Sequence, residues 1–256
     1  MSPFMIDLMP KLIAELIGTA LLILLGNGVV ANCVLKDTKA NGGNWMVITT
    51  AWAFAVFVGV VVAGPISGAH LNPAVSLGLA IAGKFAWVNV IPYIIAQVLG
   101  AMIGSSLVYL FYIDHFKATE EPALRRACFS TEPAIRNIKV NYLNEIIGTF
   151  VLMFVIYYIT EGNIKFPGDV EATTPIGLGS IGALPVAILV WVIGLSLGGT
   201  TGYAINPARD TGPRLVLTML SSKLKTNPDW AYGWVPMTAP LIGAAIAGGF
   251  FLLLTN

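Results

Sequence analysis

The tripeptide Asn-Pro-Ala occurs twice in this chain, as Asn72-Pro73-Ala74 within SGAHLNPAVSLG and as Asn206-Pro207-Ala208 within TGYAINPARDTG. Asn is a strong helix N-cap, and Pro at the first helical position gives up only an N–H that lacks an intrahelical partner. Both motifs therefore start helices, and both do so where the apolar sequence leaves no room for another complete membrane crossing. Non-helical backbone at membrane depth is tolerated only when it is buried in protein or lines a water-filled cavity. Two such starts predict two half-helices and a pore.

The membrane setting follows from composition. Of 256 residues, 56% are hydrophobic and 11% charged, against about 25% charged in a soluble domain. A net charge of +1 points to no nucleic-acid partner. Cys33 and Cys128 make neither a disulfide framework nor a metal-ligand spacing. The apolar N-terminal stretch is too long for a signal-peptide core and reads as a retained span.

Segments long enough to cross a bilayer, roughly 20 residues, fall at about 12–32, 45–64, 88–112, 141–160, 180–199 and 234–254. The stretches 72–82 and 206–219, which open on the Asn-Pro motifs, are too short to span. The longest polar connection, 114–140, reads as a solvated surface loop between two halves.

Those halves repeat. Ala14-Glu15-Leu16-Ile17-Gly18-Thr19 matches Asn144-Glu145-Ile146-Ile147-Gly148-Thr149 at an offset of 130, and the two Asn-Pro-Ala motifs are offset by 134. Gln97-Val98-Leu99-Gly100-Ala101 echoes Pro240-Leu241-Ile242-Gly243-Ala244 at an offset of 143. Three spans per repeat is an odd number, so the second copy enters from the opposite side as an inverted repeat. The half-helices then meet near the midplane. The expected fold is an all-α membrane protein: a single channel domain over 1–256, with repeats at about 8–113 and 138–254 joined by loop 114–140.

Duplicated Asn-Pro-Ala motifs on inverted three-span repeats, each repeat opening with Glu-x-x-Gly-Thr, resemble the aquaporin (major intrinsic protein) family over essentially the whole chain. The stretches SGAHLNPAV and TGYAINPARDTGPR are especially similar to bacterial glycerol facilitators, the aquaglyceroporin branch. The resemblance implies an aquaporin-like bundle of six transmembrane helices plus two re-entrant half-helices, assembled as a homotetramer with one pore per subunit. It implies a multi-pass protein of a bacterial plasma membrane, embedded in the lipid bilayer, that passes glycerol, water and similar neutral solutes. Urea, dihydroxyacetone and protonated lactic acid belong to that class, while protons and ions are excluded. No enzymatic activity, cofactor or metal ion is implied. A water or small neutral acid channel is the near alternative, and a secondary transporter the distant one.

The resemblance also assigns roles. Asn72 and Asn206 point side-chain amides into the channel, at the positive ends of two opposed half-helices. The selectivity filter is carried over to Trp52, 20 residues before Asn72, and to Gly194, Tyr203 and Arg209, which lie 12 and 3 residues before and 3 after Asn206. Gly194 leaves room for a three-carbon polyol, and Tyr203 stands where these facilitators commonly carry Phe. Secondary markers are Tyr112, Asp210, Arg214 and Pro236-Met237. Glu15 and Glu145 are expected to accept from re-entrant backbone, His70 to line the cytoplasmic side of the pore, and Asp210 to stabilise its half-helix. Gly100-x-x-x-Gly104 and Gly194-x-x-x-Gly198 fit close helix crossings. One signal opposes the implied orientation. The outside loops carry Lys36, Lys39, Lys117, Arg125, Arg126, Arg136, Lys139, Lys223 and Lys225 against Lys11, Lys84 and Lys165 inside, the reverse of the positive-inside rule.

Overall fold

In the computed structural model, residues 3–160, 162–164 and 174–255 are described; Lys165, used in the loop-charge comparison, lies outside them. The chain forms α1 (Pro3–Val34), α2 (Trp45–Ser67), α3 (Pro73–Ile81), α4 (Trp87–Phe111), α5 (Ile113–Ala118), α6 (Pro122–Ala127), α7 (Ile138–Ile156), a hairpin of β1 (Gly162–Ile164) and β2 (Thr174–Ile176), a 3-10 turn at Gly179–Ala183, α8 (Leu184–Leu197), α9 (Pro207–Leu224) and α10 (Trp230–Thr255). Among the described residues, six helical stretches are long and apolar enough to cross a membrane: Ile6–Val34, Trp45–Ser67, Trp87–Phe111, Ile138–Ile156, Gly179–Leu197 and Trp230–Thr255. They coincide with the six expected spans.

The first half-helix is α3, which fills the expected 72–82. The second, α9, continues to Leu224 rather than stopping near 219. Its last turns carry Ser221, Ser222 and Lys223, side chains that water can solvate, so nothing ends the helix until Lys225 adopts the left-handed conformation (φ 49°).

The repeats interlock. Helix α1 packs on α2 and α4, and α7 packs on α10, as equivalent pairs. Each half-helix, however, packs on the last span of the opposite repeat: α3 on α10 and α9 on α4. Neither repeat therefore closes a core alone.

Close crossings at equivalent glycines make this possible. A Cβ on Gly100 would overlap the carbonyl of Leu16, and one on Gly243 would overlap the carbonyl of Ile146. Backbone thus meets backbone at α1–α4 and again at α7–α10, as small residues permit in membrane bundles.

Polarity is inverted relative to a soluble protein. Ile91, Phe111, Met219 and Leu253 stand out from the bundle surface, whereas Glu15, Gln97, Asp210 and Arg214 are fully buried. In water such an apolar surface would be an association hazard; in lipid it is the solvated face.

The connection 114–140 departs from the expected solvated loop. It folds into α5 and α6, and it buries Phe116, Cys128, Phe129, Ser130 and Thr131. The rings of Phe116 and Phe129 pack at a tilt, 5.6 Å apart, and join a core with Ala31, Val108 and Leu217. The charges on this stretch mask that apolar content in the sequence.

Replacing Gly100 or Gly243 by Ala is expected to lower stability by about 1–3 kcal/mol through overpacking. Gly249→Ala, where a Cβ meets nothing within 4 Å, should leave it unchanged. Thermal unfolding of the detergent-solubilised variants checks the contrast.

Candidate pore and selectivity filter

The two re-entrant segments have the same unusual backbone. Gly68 and Gly202 have φ of 84° and 78°, and the non-glycine residues Ala69, Leu71, Tyr203 and Ile205 also lie in the left-handed region (φ 49°, 51°, 37° and 41°). These are equivalent positions at the offset of 134. Each left-handed L-residue costs about 1–2 kcal/mol.

Buried carboxylates offset that cost. Glu15 on α1 accepts from the backbone N–H groups of His70 (2.9 Å) and Leu71 (2.7 Å). Glu145 on α7 accepts from those of Ala204 (3.0 Å) and Ile205 (2.9 Å). Hydrogen bonds to charged groups contribute about 1.5–3 kcal/mol each, so two per loop outweigh the strain. Ser67 Oγ and Gln97 Nε2 complete the shell of Glu15 at 2.7 and 2.8 Å. Every oxygen of both carboxylates is engaged, which is how an embedded acid serves structure.

The half-helices meet at their N-termini. Asn72 Oδ1 caps the N–H of Ala74 (2.8 Å), and Asn206 Oδ1 caps those of Ala208 (3.0 Å) and Arg209 (3.2 Å). Their amide nitrogens cross over: Asn72 Nδ2 donates to the carbonyl of Ile205 (2.9 Å), and Asn206 Nδ2 donates to that of Leu71 (2.8 Å). The two repeats are stapled together by these bonds. Only one hydrogen of each amide is used in the brace, and both residues line the central cavity, so the second is available to a molecule inside.

That cavity encloses about 270 Å³. Its wall includes the apolar Leu22, Val56, Val60, Leu152 and Val190 together with the polar and aromatic His70, Asn72, Asn206, Arg209, Trp52 and Tyr203. Three of the four carried-over filter residues converge here. The guanidinium of Arg209 lies 4.1 Å above the Trp52 ring, a cation–π contact worth about 2 kcal/mol when desolvated. Among the described residues no protein acceptor claims its side-chain N–H groups. Trp52 in turn is seated on Gly26 of α1, where any Cβ would overlap the indole.

Gly194 plays a different part from the one expected. It does not line the cavity; a Cβ there would stand 2.8 Å from Tyr203 Cζ and 3.0 Å from Tyr203 Oη. The Tyr203 ring already occupies the space that Gly194 leaves. The glycine makes room for the tyrosine ring. Gly198 belongs to the same seat, facing Tyr203 and Trp45, and because Trp45 opens α2 and Gly194 also meets Thr49 of α2, the two glycines mark a close α2–α8 crossing as well.

Behind Arg209, the buried pair Asp210–Arg214 (Nε to Oδ1 2.6 Å) ties α9 to the connections before α7 and before α10. Asp210 accepts from the Thr131 N–H (2.8 Å) and hydroxyl (2.7 Å), and Arg214 donates to the carbonyls of Thr131 (2.9 Å), Pro228 and Asp229. No polar atom of this pair is left to the lumen, which makes it a clamp. At the surface Arg136 reaches Asp229 at 2.8 Å, and that hydrogen bond raises the Arg136 pKa above its ordinary value. At the opposite end of the cavity His70 contacts Ser76 Oγ through Nδ1 (3.0 Å) and packs against Phe85 and Tyr93. The other sequence markers, Tyr112 and Pro236-Met237, do not line the cavity.

The major intrinsic protein model matches residues 5–251. The chain belongs to the major intrinsic protein family. It is 48% identical over 239 residues to a probable glycerol uptake facilitator protein of Thermotoga maritima, covering 93% of this chain and 97% of that one. It is also 48% identical over 240 residues to the glycerol uptake facilitator protein of Streptococcus pneumoniae, covering 94% and 97%. The X-ray structure of the aquaglyceroporin from Plasmodium falciparum superposes with a TM-score of 0.76 at 32% identity, covering 95% of each chain. Six membrane-capable helices in such a family make the chain a multi-pass membrane protein.

Glu145→Gln swaps one accepting oxygen for a donor, so Ala204 and Ile205 cannot both be satisfied. The expected loss is about 1.5–3 kcal/mol of stability, together with flux per channel, read by thermal unfolding and osmotic swelling of the same preparation. Gly194→His must push the Tyr203 ring toward the lumen, and overpacking of this size should cut glycerol permeability by roughly tenfold or more. Water permeability should fall far less, which stopped-flow light scattering on proteoliposomes resolves.

Proposed function

We propose that the chain is a passive channel for glycerol and other small uncharged solutes, water included, with the whole of residues 1–256 acting as one channel unit. The observation that carries this reading is the Arg209 guanidinium, stacked on Trp52 with its N–H groups unclaimed, beside Tyr203 in a largely apolar cavity. A polyol has one carbon edge and one hydroxyl edge. Trp52 and Tyr203 take the carbons, while Arg209 and the free amide hydrogens of Asn72 and Asn206 take the hydroxyls. Hydration is replaced on one side only, so the solute stays loosely held and passes on.

The same parts exclude ions. Each half-helix presents about half a positive charge at its N-terminus, and Arg209 adds a full one, so a cation meets repulsion at the narrowest, driest point. An anion loses its hydration with too little in exchange along the apolar wall. Water accepting from both Asn residues is oriented away from a continuous proton-conducting chain. The mechanism is permeation without covalent chemistry. Glu15 and Glu145 have their oxygens committed to backbone and, for Glu15, to Ser67 and Gln97, so neither is poised for ion coupling.

The solute class extends to urea, dihydroxyacetone and undissociated small acids such as lactic acid. The subunit is proposed to assemble as a homotetramer in a bacterial plasma membrane with both termini cytoplasmic.

Proteoliposomes containing the protein should equilibrate glycerol much faster than empty liposomes while holding an imposed pH gradient, and Arg209→Val should let that gradient collapse. Uptake of lactic acid should rise as pH falls toward the acid's own pKa. Uphill accumulation of glycerol, or proton leakage that tracks solute flux in the parent protein, would overturn the channel reading.

A further inference from the structure

We infer that Trp45, at the N-terminal end of α2, is a positioning residue for selectivity: it fixes the Tyr203 ring and thereby sets the cross-section of the filter. The inference rests on the filter reading above and adds a residue that does not itself line the cavity.

Among the described residues Tyr203 has no polar anchor. Its hydroxyl is buried and has no hydrogen-bond partner there, so the position of the ring depends on what packs around it. Its backbone is left-handed (φ 37°), which directs the side chain out of the re-entrant segment toward α8. There it lies over two residues without side chains, Gly194 and Gly198. Glycine floors admit the ring and do not hold it sideways.

The wall beside the ring is Trp45. The two rings meet edge to face, 82° apart in orientation with centroids 5.8 Å apart. Trp45 is itself tethered, because its Nε1 donates to the carbonyl of Gly194 at 3.0 Å. The residue that opens the space for Tyr203 thus also holds the side chain that closes it. A Cβ on Gly198 would stand 2.8 Å from Trp45 Cζ2 and about as close to Tyr203, so both aromatic side chains share one glycine seat. Trp45 is 39% exposed, and this exposed indole with a single internal tether can be altered without opening the core.

With the tether removed, the Tyr203 ring gains room to move away from the lumen, and the filter should admit a wider polyol. The test measures the permeability ratio of erythritol to glycerol in proteoliposomes, a quantity independent of how much protein is inserted. Trp45→Phe, which keeps a ring and loses the donor, should raise that ratio by roughly twofold to tenfold, the range one lost hydrogen bond commands. Trp45→Ala should raise it further. Neither substitution should change the ratio again when Tyr203 is already Ala, since the two then act as a unit.

If Tyr203→Ala changes the ratio while both Trp45 variants match the parent, the positioning role is overturned and the filter stands. An effect of Trp45→Phe that persists undiminished in the Tyr203→Ala background also overturns it. If Tyr203→Ala leaves the ratio untouched, the filter assignment itself fails. Should Trp45→Ala not insert, Trp45→Phe alone decides the outcome.

Discussion

Two buried carboxylates hold this structure in its working shape. A re-entrant segment places unpaired peptide groups where no water reaches, and each such group costs several kcal/mol if unsatisfied. Glu15 and Glu145 each take two consecutive N–H groups from the re-entrant segment of their own repeat. Holding those N–H groups fixes the left-handed backbone at Ala69, Leu71, Tyr203 and Ile205. The same alternation sends the Leu71 and Ile205 carbonyls across the centre to the Asn206 and Asn72 amides. Remove a carboxylate, and the strained loop, the cross-brace and the aim of Tyr203 lose their support together.

The lumen depends equally on how the walls close. Glycines 100 and 243 bring α4 and α10 against the backbones of α1 and α7, and the half-helices reach across to the opposite repeat. The result is a narrow passage lined by both halves of the chain. Within it Arg209 is affordable because its charge rests on the Trp52 face and sits near the buried acids Asp210 and Glu145. Asp210 is already committed to Arg214 and Thr131. It tempers the field at Arg209 without occupying its N–H groups, which remain free for a solute.

What the sequence made legible was whatever local chemistry or periodicity encodes. Asn-Pro at 72 and 206 declares a helix start, and both residues are caps with Pro at the first helical position. Span parity placed the half-helices nose to nose, and the crossed amide bonds realise that arrangement. Of the re-entrant backbone only Gly68 and Gly202 gave a local signal. Ala69, Leu71, Tyr203 and Ile205 carry no propensity for the left-handed region, since the carboxylates that enforce it lie some 55 to 60 residues away in sequence. The seat of Tyr203 has no local signature for the same reason, because Gly194 and Trp45 meet the ring only through the tertiary fold. In loop 114–140 charge dominates the sequence, while Phe116, Phe129 and Thr131 hold the packing.

The duplication explains the scaffold, and its decay explains the selectivity. Shifting by 134 residues, Gly68, Ala69, Leu71 and Asn72 map onto Gly202, Tyr203, Ile205 and Asn206 with the backbone preserved. Side chains at the same positions have diverged. Tyr203 corresponds to Ala69 and Arg209 to Val75, and all four line the cavity. One end is therefore narrowed by an aromatic ring and charged by a guanidinium, while its counterpart presents a methyl and an isopropyl group. Asp210 corresponds to Ser76, so the ion pair that braces the charged end becomes a hydroxyl in contact with His70 at the other. A symmetric pore would place two equal barriers in series. In the proposed channel the discriminating constriction would lie on the Tyr203–Arg209 side of the Asn pair, and the other side would only have to stay open to a neutral solute.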